Sequence, residues 1–394
     1  MCIRDSINAG IPYRLREIAP FIAPTAEKAE FCIIPRSIGA GTEHIITFNK
    51  LFIFSLSIFT FDFTFNFYFI LLLFTFNKLA GVSPSTVSRV MNGTARVDDE
   101  KRQKVERAIS ETGFKPNEVA RSLYKRSSKI IGILVPNIIN PFFNELAGAV
   151  EEECDRRGYR LTLCNSNDDL EKEKRNLSLL ERMNADGVIL MTNMDEIHKE
   201  VGNCRIPVVM IDRQIEGGKE IACIQSNHYQ GGRMSVEHLL ECGCRHIVQM
   251  SGPLHLSSAR KRHQGYLDVC RERGIEPAWI EGDYSFESGT EMAARLLEQY
   301  PDTDGIIAAN DMVAISVYKE LHRKGIKVPE DMQLIGFDNI SLSSLFTPEI
   351  TTIAQPIKRM GQEAVRMLTE YVAGAQISRN KVFDVKLIKR DTTL

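Results

Sequence analysis

Short apolar runs alternate with amphipathic stretches along most of the chain from residue 129 onward. Runs such as IIGILVP, ADGVILMT and IPVVMID have the length and the β-branched content of buried strands. Stretches such as FFNELAGAVEEECDRRG and QGGRMSVEHLLECG carry apolar residues at helical spacing. This alternation predicts parallel sheets flanked by helices, and two successive series predict two lobes.

Polar and aromatic residues follow the predicted strands of both series. Ligands of open α/β sheets bind beyond the carboxyl ends of the strands, so these residues predict a cleft between the lobes. The candidates are Asn140, Phe142, Phe143, Asp212, Arg213, Arg260, Asn310, Asp338 and Gln355. Carboxylates and guanidinium groups bind vicinal hydroxyls, and phenylalanine stacks on the CH face of a sugar ring, so the set indicates a small sugar. A helix cap or a surface ion pair remains the alternative for each polar residue, Asp311 included.

Residues 77–126 have a different pattern. Ser83 followed by Pro84 is typical of a helix N-cap with proline in the first turn. The helix predicted from Pro84 to about Met91 places Val87 and Val90 on its inner face. Its outward residues are then Ser85, Thr86, Ser88 and Arg89. An arginine among short hydroxyl side chains suits contacts with base edges and phosphates in the DNA major groove.

The charge balance sets the same segment apart. Residues 77–126 contain 11 basic and 6 acidic residues, whereas the whole chain has a net charge of -2. A small basic module on an acidic body fits a polyanion partner for the module alone. A solvated charged helix is the alternative explanation.

At this point a family resemblance becomes specific. KLAGVSPSTVSRVMNG, residues 78–93, resembles the turn and recognition helix of the lactose-repressor/galactose-repressor (LacI/GalR) family, and PNEVARSL, residues 116–123, is similar to its hinge helix. The resemblance implies major-groove or phosphate contacts by Ser85, Ser88, Arg89 and Asn92, and minor-groove contacts by Ala120 and Leu123. The family normally has a first helix directly before Lys-Leu-Ala-Gly, but LLFTFN occupies that place here, which puts DNA docking in doubt.

The later segments NPFF, IDR, SAR, AAND, GFDN and TTIAQP resemble the type I periplasmic sugar-binding fold that this family shares, most of all its ribose-type members. The resemblance adds Tyr284, in GDYS, to the effector site. It also implies a homodimer on an operator, with tetramer formation left open.

These patterns predict an α/β protein with an N-terminal all-α helix-turn-helix head and a two-lobed, Rossmann-like effector domain with parallel sheets. The first 76 residues are biased toward Phe, Asn, Ile and Leu, and the sequence TFNKL occurs at residues 47–51 and again at 75–79. Both features suggest that residues 1–76 are a non-native or low-complexity leader. The expected ranges are 1–76 for the leader, 77–115 for the head, 116–126 for the hinge helix, and 127–394 for the effector domain. Its N-lobe is expected at about 129–224 and 357–384, and its C-lobe at about 225–354 and 385–394.

Other classes of protein are less well supported. Nine cysteines include no paired CxxC, and the lone Cys242-x-Cys244 near His246 lacks a second ligand pair, so reduced thiols and no metal are expected. No nucleophile elbow, P-loop, HExxH or dinucleotide glycine pattern is present, so neither an enzyme nor a cofactor is predicted.

The sequence therefore predicts a cytoplasmic transcriptional repressor whose partners are operator DNA, a small sugar and a second copy of the chain, with no membrane association. Two alternatives stay open: a sugar receptor or transport binding protein without DNA-binding activity, and a membrane-tethered receptor that uses the apolar residues 51–76 as a span.

Overall fold

The structure, a computed structural model, describes residues 79–92, 96–112, 127–213, 222–376 and 380–394. The chain divides into two compact units, residues 1–115 and 116–394. The expected leader, the expected hinge helix with Ala120 and Leu123, and the segment LLFTFN lie outside the described residues.

In the smaller unit, two helices pack through one apolar cluster. Helix α1 spans Pro84–Asn92, and helix α2 spans Asp99–Thr112. Ser83 Oγ accepts a hydrogen bond from the Thr86 backbone N at 3.3 Å, as the predicted N-cap requires. The shared cluster consists of Ala80, Val82, Val87, Val105 and Ala108, with Val90 and Ile109 packed against it. Because α1 buries its valines, its hydroxyl and guanidinium groups are left for the opposite face.

Within its described residues, the larger unit contains two six-stranded sheets. The first sheet is built from β1 (Ile130–Val135), β2 (Arg160–Asn165), β3 (Gly187–Leu190), β4 (Val208–Ile211), β5 (Ala222–Ser226) and β11 (Asn380–Phe383). Its strand order is β11-β5-β4-β3-β1-β2, and every neighbouring pair is parallel. On one face lie α3 (Pro141–Arg156) and α11 (Ile357–Val372), and on the other lies α4 (Leu170–Arg182). A 3-10 turn (Asp195–Ile197) and α5 (His198–Asn203) follow β3.

The second sheet repeats the scheme. Its strands are β6 (Ile247–Ser251), β7 (Ala278–Glu281), β8 (Gly305–Ile307), β9 (Gln333–Asp338), β10 (Thr351–Ala354) and β12 (Lys386–Ile388). The order is β12-β10-β9-β8-β6-β7, and only the edge pair of β10 and β12 is antiparallel. Its helices are α6 (His228–Glu241) and α7 (Ser257–Arg273) on one face, α8 (Phe286–Gln299) and α9 (Asp311–Arg323) on the other, and the short α10 (Ser341–Leu345).

This architecture confirms the predicted two-lobed α/β fold, apart from the antiparallel edge strand. The chain leaves the first sheet after β5, returns after β10, and leaves it again between β11 and β12. The residues that link the lobes therefore lie next to the carboxyl ends of β5 and β10. Within the described ranges, no helix combines the length and the hydropathy that crossing a bilayer requires.

Helices α6 and α7 approach each other so closely that only glycine fits between them. A Cβ atom on Gly232 would lie 2.1 Å from the backbone oxygen of Arg262. We predict that Gly232→Ala forces the helices apart and lowers the free energy of unfolding by about 1 to 3 kcal/mol.

The matched control is Gly148→Ala in α3, where a Cβ atom meets nothing within 4 Å. Alanine favours the helix there by up to about 1 kcal/mol. Urea denaturation of both variants measures the difference, and a Gly232→Ala variant as stable as the control would show that the helices tolerate the methyl group.

Candidate functional site

One cleft between the two lobes brings together nine of the ten effector residues expected from the sequence. They are Asn140, Phe142, Phe143, Asp212, Arg213, Tyr284, Asn310, Asp338 and Gln355, and Arg262 joins them. The first five belong to the N-lobe side, and Gln355 follows β10 where the chain crosses between the lobes. The parallel sheets thus deliver these side chains from the ends of several strands to one place. Their role in binding stays a prediction.

Two asparagines in the cleft also cap helices. Asn140 Oδ1 accepts a hydrogen bond from the Phe142 backbone N at 3.0 Å at the start of α3. Asn310 Oδ1 accepts one from Val313 N at 2.8 Å at the start of α9, and its Nδ2 donates to the Tyr284 carbonyl at 3.3 Å. The helix-cap alternative is therefore true of both asparagines, and capping fixes where their side chains stand in the cleft.

Aromatic rings line the cleft on both lobes. The rings of Phe142 and Phe143 are buried and meet edge to face, with centroids 5.3 Å apart. On the opposite lobe, the Tyr284 ring lies 5.4 Å from the guanidinium carbon of Arg213. These apolar faces suit a ring that has CH groups on one side and hydroxyls at its edge.

Arg260 does not line the cleft, contrary to the expectation from SAR. It is exposed, and its Nη1 donates a hydrogen bond to the His255 carbonyl at 3.1 Å. Arg262 is buried instead, and its Nη1 donates to the Ala309 carbonyl at 2.9 Å while its guanidinium carbon lies 3.5 Å from the Phe337 ring centroid. Two residues along a helix correspond to a rotation of about 200°, so only one of these arginines can face the cleft.

His228, which the sequence analysis missed, connects the charged residues of the two lobes. Its Nε2 lies 3.2 Å from both the backbone oxygen and Oδ1 of Asp212. Its Nδ1 accepts a hydrogen bond from Arg262 Nε at 3.3 Å, and Arg262 Nη2 lies 3.6 Å from Asp338 Oδ1. Burial lowers the pKa of His228, and a neutral ring with its proton on Nε2 satisfies both contacts.

The two cleft carboxylates have opposite electrostatic environments. Burial alone would raise the pKa of Asp212, but His228 and Arg213 outweigh it and hold this pKa below its ordinary value. Burial raises the pKa of Asp338 to about 7, although Arg262 and a hydrogen bond from Gln355 Nε2 at 2.8 Å oppose the shift. Asp311, behind the cleft, also has a raised pKa because it is buried beside Asp338. Asp212 is thus charged at neutral pH, and Asp338 is near its midpoint.

Several buried polar atoms in the cleft lack good partners. Among the described residues, Tyr284 Oη and Gln355 Oε1 take part in no hydrogen bond, and Asp212 Oδ1 has no well-aligned one. An unpaired buried polar atom costs free energy. All three line the same cleft, so a ligand rich in hydroxyl groups would satisfy them together.

Both thiols of the Cys242-Gly243-Cys244 segment form hydrogen bonds with backbone carbonyl groups. Cys242 Sγ donates to the Leu394 carbonyl at 3.0 Å, and Cys244 Sγ donates to the Asp304 carbonyl at 3.4 Å. In the part of the chain that the structure describes, no three His, Cys, Asp or Glu side chains are grouped to hold a metal ion.

Helix α1 carries the expected DNA-contacting residues Ser85, Thr86, Ser88, Arg89 and Asn92. Ser85 and Arg89 are exposed, and Thr86 and Ser88 are half-buried. Ser83 Oγ lies 2.9 Å from both Ser85 Oγ and Thr86 Oγ1. Asn92 is the last residue of α1. Of this set, the helix therefore exposes Ser85 and Arg89 most fully.

Comparison with known proteins matches two parts of the chain. Residues 77–117 match bacterial regulatory proteins of the lacI family, and residues 236–393 match the periplasmic binding protein-like domain. The ribose operon repressor of Halalkalibacterium halodurans is 37% identical over 317 residues, which cover 80% of this chain and 95% of that repressor.

Two solved structures are similar in fold and in sequence. The lac repressor dimer bound to operator and the anti-inducer ONPF matches with a TM-score of 0.73 at 29% identity, over 81% of this chain and 98% of that one. A periplasmic binding protein/LacI transcriptional regulator from Alkaliphilus metalliredigens, complexed with D-xylulofuranose, matches with a TM-score of 0.63 at 36% identity, over 68% and 99%. The resemblance stated from sequence motifs is thus confirmed.

The raised pKa of Asp338 predicts a pH-dependent stability difference. Because the folded-state pKa of about 7 exceeds the ordinary 3.8, the protonated carboxyl stabilises the fold, and this contribution is lost as pH rises through 7. Asp338→Asn mimics the protonated form at every pH. We predict that its free energy of unfolding, relative to the wild type, rises by about 2 to 3 kcal/mol between pH about 5 and about 8.

The control for this experiment is Asp302→Asn, because Asp302 is exposed. The difference in the free energy of unfolding between Asp302→Asn and the wild type should stay constant over the same pH range. A flat difference for Asp338→Asn as well would mean that Asp338 is ionised at all these pH values.

Proposed function

Since this chain belongs to the lacI family of bacterial regulatory proteins, we propose that it is a sequence-specific DNA-binding transcriptional repressor controlled by a small sugar. The observation that carries the proposal is the cleft, in which carboxylates, guanidinium groups and phenylalanine rings converge from both lobes. The relatives and structures compared with it are repressors and regulators, not enzymes.

We propose a pentose as the effector. Asp338 and Asp212 accept hydrogen bonds from sugar hydroxyls on opposite sides of the ring, while Arg213 and Arg262 donate to them. Phe142 and Phe143 contact its CH face. The D-xylulofuranose in the similar regulator from Alkaliphilus metalliredigens and the name of the Halalkalibacterium halodurans relative support this class.

We further propose that the protein acts in the cytoplasm as a homodimer. Two copies of α1 would then enter successive major grooves of a near-palindromic operator, as expected of a helix-turn-helix pair. The operator-bound lac repressor, a dimer, supports this arrangement. Pentose binding can change operator affinity only if the sugar binds one arrangement of the lobes more tightly than the other. We propose that the preferred arrangement has the lower operator affinity, so that pentose releases the protein from DNA.

Titration calorimetry against a panel of pentoses and hexoses tests the effector assignment. We expect one pentose to bind, and Asp338→Ala to weaken its binding by about 10- to 100-fold because the sugar hydroxyls lose the carboxylate that accepts their hydrogen bonds. Asp302→Ala, on the surface, should bind like the wild type. A pentose that binds Asp338→Ala as tightly as the wild type would place the sugar elsewhere.

Operator discrimination tests the role of α1. We expect Arg89→Ala to lose about 1 to 3 kcal/mol of the preference for operator over unrelated duplex, because a bidentate arginine reads guanine. Arg107→Ala in α2 is the matched control, since it also removes one exposed guanidinium from the same small unit. Arg107→Ala should lower the affinity for the operator and for the unrelated duplex by the same factor. Equal loss of preference in both variants would refute base reading by Arg89.

A further inference from the structure

A second compartment adjoins the cleft on the C-lobe side. Residues at the carboxyl ends of β6 and β8 line it, among them Ser251, Gly252, Ala308 and Ala309. Of its lining residues, only Arg262 and Tyr284 also line the cleft. These two side chains therefore separate the cleft from this space, which we name the inner compartment.

Hydrogen bonds fix the main chain on both sides of Tyr284. The backbone N of Asp283 donates to Ser288 Oγ at 2.9 Å, and the backbone N of Ser285 donates to Asp283 Oδ1 at 2.7 Å. Asn310 Nδ2, at the cap of α9, donates to the Tyr284 carbonyl. The place of the Tyr284 ring therefore depends on the atoms against which the ring packs.

The Tyr284 ring packs on Gly252. A Cβ atom on Gly252 would lie 2.4 Å from Cζ and 2.6 Å from Oη of Tyr284. The backbone of Gly252 does not itself require glycine, because its φ lies outside the left-handed region. With a methyl group there, the ring would have to move by about 1 Å to restore van der Waals contact. The inner compartment, with a volume of about 10 Å³, has no room for the ring, so the ring would turn into the cleft.

The hydroxyl end of the ring has a second neighbour in Ser251. Ser251 Oγ and Tyr284 Oη are both buried, and neither takes part in a hydrogen bond with the described residues. Both residues line the inner compartment, whose volume is about what one water molecule needs. A water that bridges the two hydroxyls would satisfy both. Because a phenol both donates and accepts, Tyr284 would keep its proton for a sugar hydroxyl.

We propose that Gly252 and Ser251, neither of which lines the cleft, position the Tyr284 ring so that the cleft accepts a pentose and excludes a hexose. This inference rests on the proposed function. Phe142 and Phe143 are assigned to the CH face of the sugar, which leaves the Tyr284 ring for the sugar carbon without a hydroxyl, C5 of a pentopyranose. A hexopyranose carries a hydroxymethyl group on that carbon. A ring held against Gly252 cannot recede from this group, so the larger sugar would be overpacked.

Calorimetry with two pairs of sugars tests the selection. D-ribose and D-allose differ in their pyranose forms by one hydroxymethyl group, and D-xylose and D-glucose differ in the same way. We expect the wild type to bind the pentose of one pair at least about tenfold more tightly than its hexose. Tyr284→Ala removes the ring, so its preference for that pentose should fall about tenfold or more. A preference that survives in Tyr284→Ala would refute selection by this ring.

A double-mutant cycle tests Gly252. Gly252→Ala should weaken pentose binding by about tenfold or more, because the displaced ring enters the cleft. Added to Tyr284→Ala, the same change should alter pentose affinity by less than about twofold, since no ring remains to be displaced. An equal loss in both backgrounds would mean that Gly252 acts through another contact, and would overturn the proposal.

A second cycle adds no atoms, so it tests the positioning of Tyr284 even if Gly252→Ala does not fold. Ser251→Ala and Tyr284→Phe each remove one hydroxyl of the bridged pair, and each should weaken pentose binding by about three- to tenfold. Because the two hydroxyls share one water, the double variant should lose no more than Tyr284→Phe alone. Losses that multiply would show that Ser251 and Tyr284 act independently, and would refute the bridge.

Gly202→Ala in α5 is the matched control. A Cβ atom on Gly202 meets nothing within 4 Å, and Gly202 lines neither the cleft nor the inner compartment. Its pentose affinity should stay within about twofold of the wild type. A wild type that binds no pentose would refute the proposed effector and this inference with it. Pentose binding that Gly252→Ala leaves unchanged would refute the inference alone.

Discussion

The buried row Asp212, His228, Arg262 and Asp338 is the interaction on which the cleft depends. Asp212 follows a strand of the first sheet, whereas the other three belong to elements of the second lobe. Each contact between neighbours in the row spans 3.2 to 3.6 Å, and all four residues are buried. Removing one partner would strand a charge in a medium of low dielectric, which costs several kcal/mol. Within this row, the contact between Asp212 and His228 joins the two lobes.

A bound sugar would extend this row across the cleft. Polar atoms of Asp212, Tyr284 and Gln355 that have no well-aligned hydrogen bond lie on both sides of the cleft, and a ligand that bonds to all three favours the arrangement in which the lobes are close. A ligand shifts an equilibrium only through its unequal affinity for two states. The proposed sugar would therefore affect DNA binding by favouring one arrangement of the lobes.

The sequence predicted the fold and most of the cleft because strand ends are visible in the hydrophobic pattern. It failed at Arg260, since SARKRH offers two arginines and only the phase of α7 decides which of them faces inward. It also missed His228, whose partners Asp212 and Arg262 lie far away in sequence or in the other lobe. The antiparallel β12 was missed for a similar reason, since strand direction depends on tertiary pairing.

The central claim is that one chain couples operator binding to pentose binding. The most direct test measures operator affinity with and without saturating pentose, and pentose affinity with and without operator. Thermodynamic linkage requires that pentose changes operator affinity by the same factor by which operator changes pentose affinity, and this factor is typically about 5- to 150-fold. We predict a weakening of that size in both measurements. A protein that binds each partner without changing its affinity for the other would contradict the account.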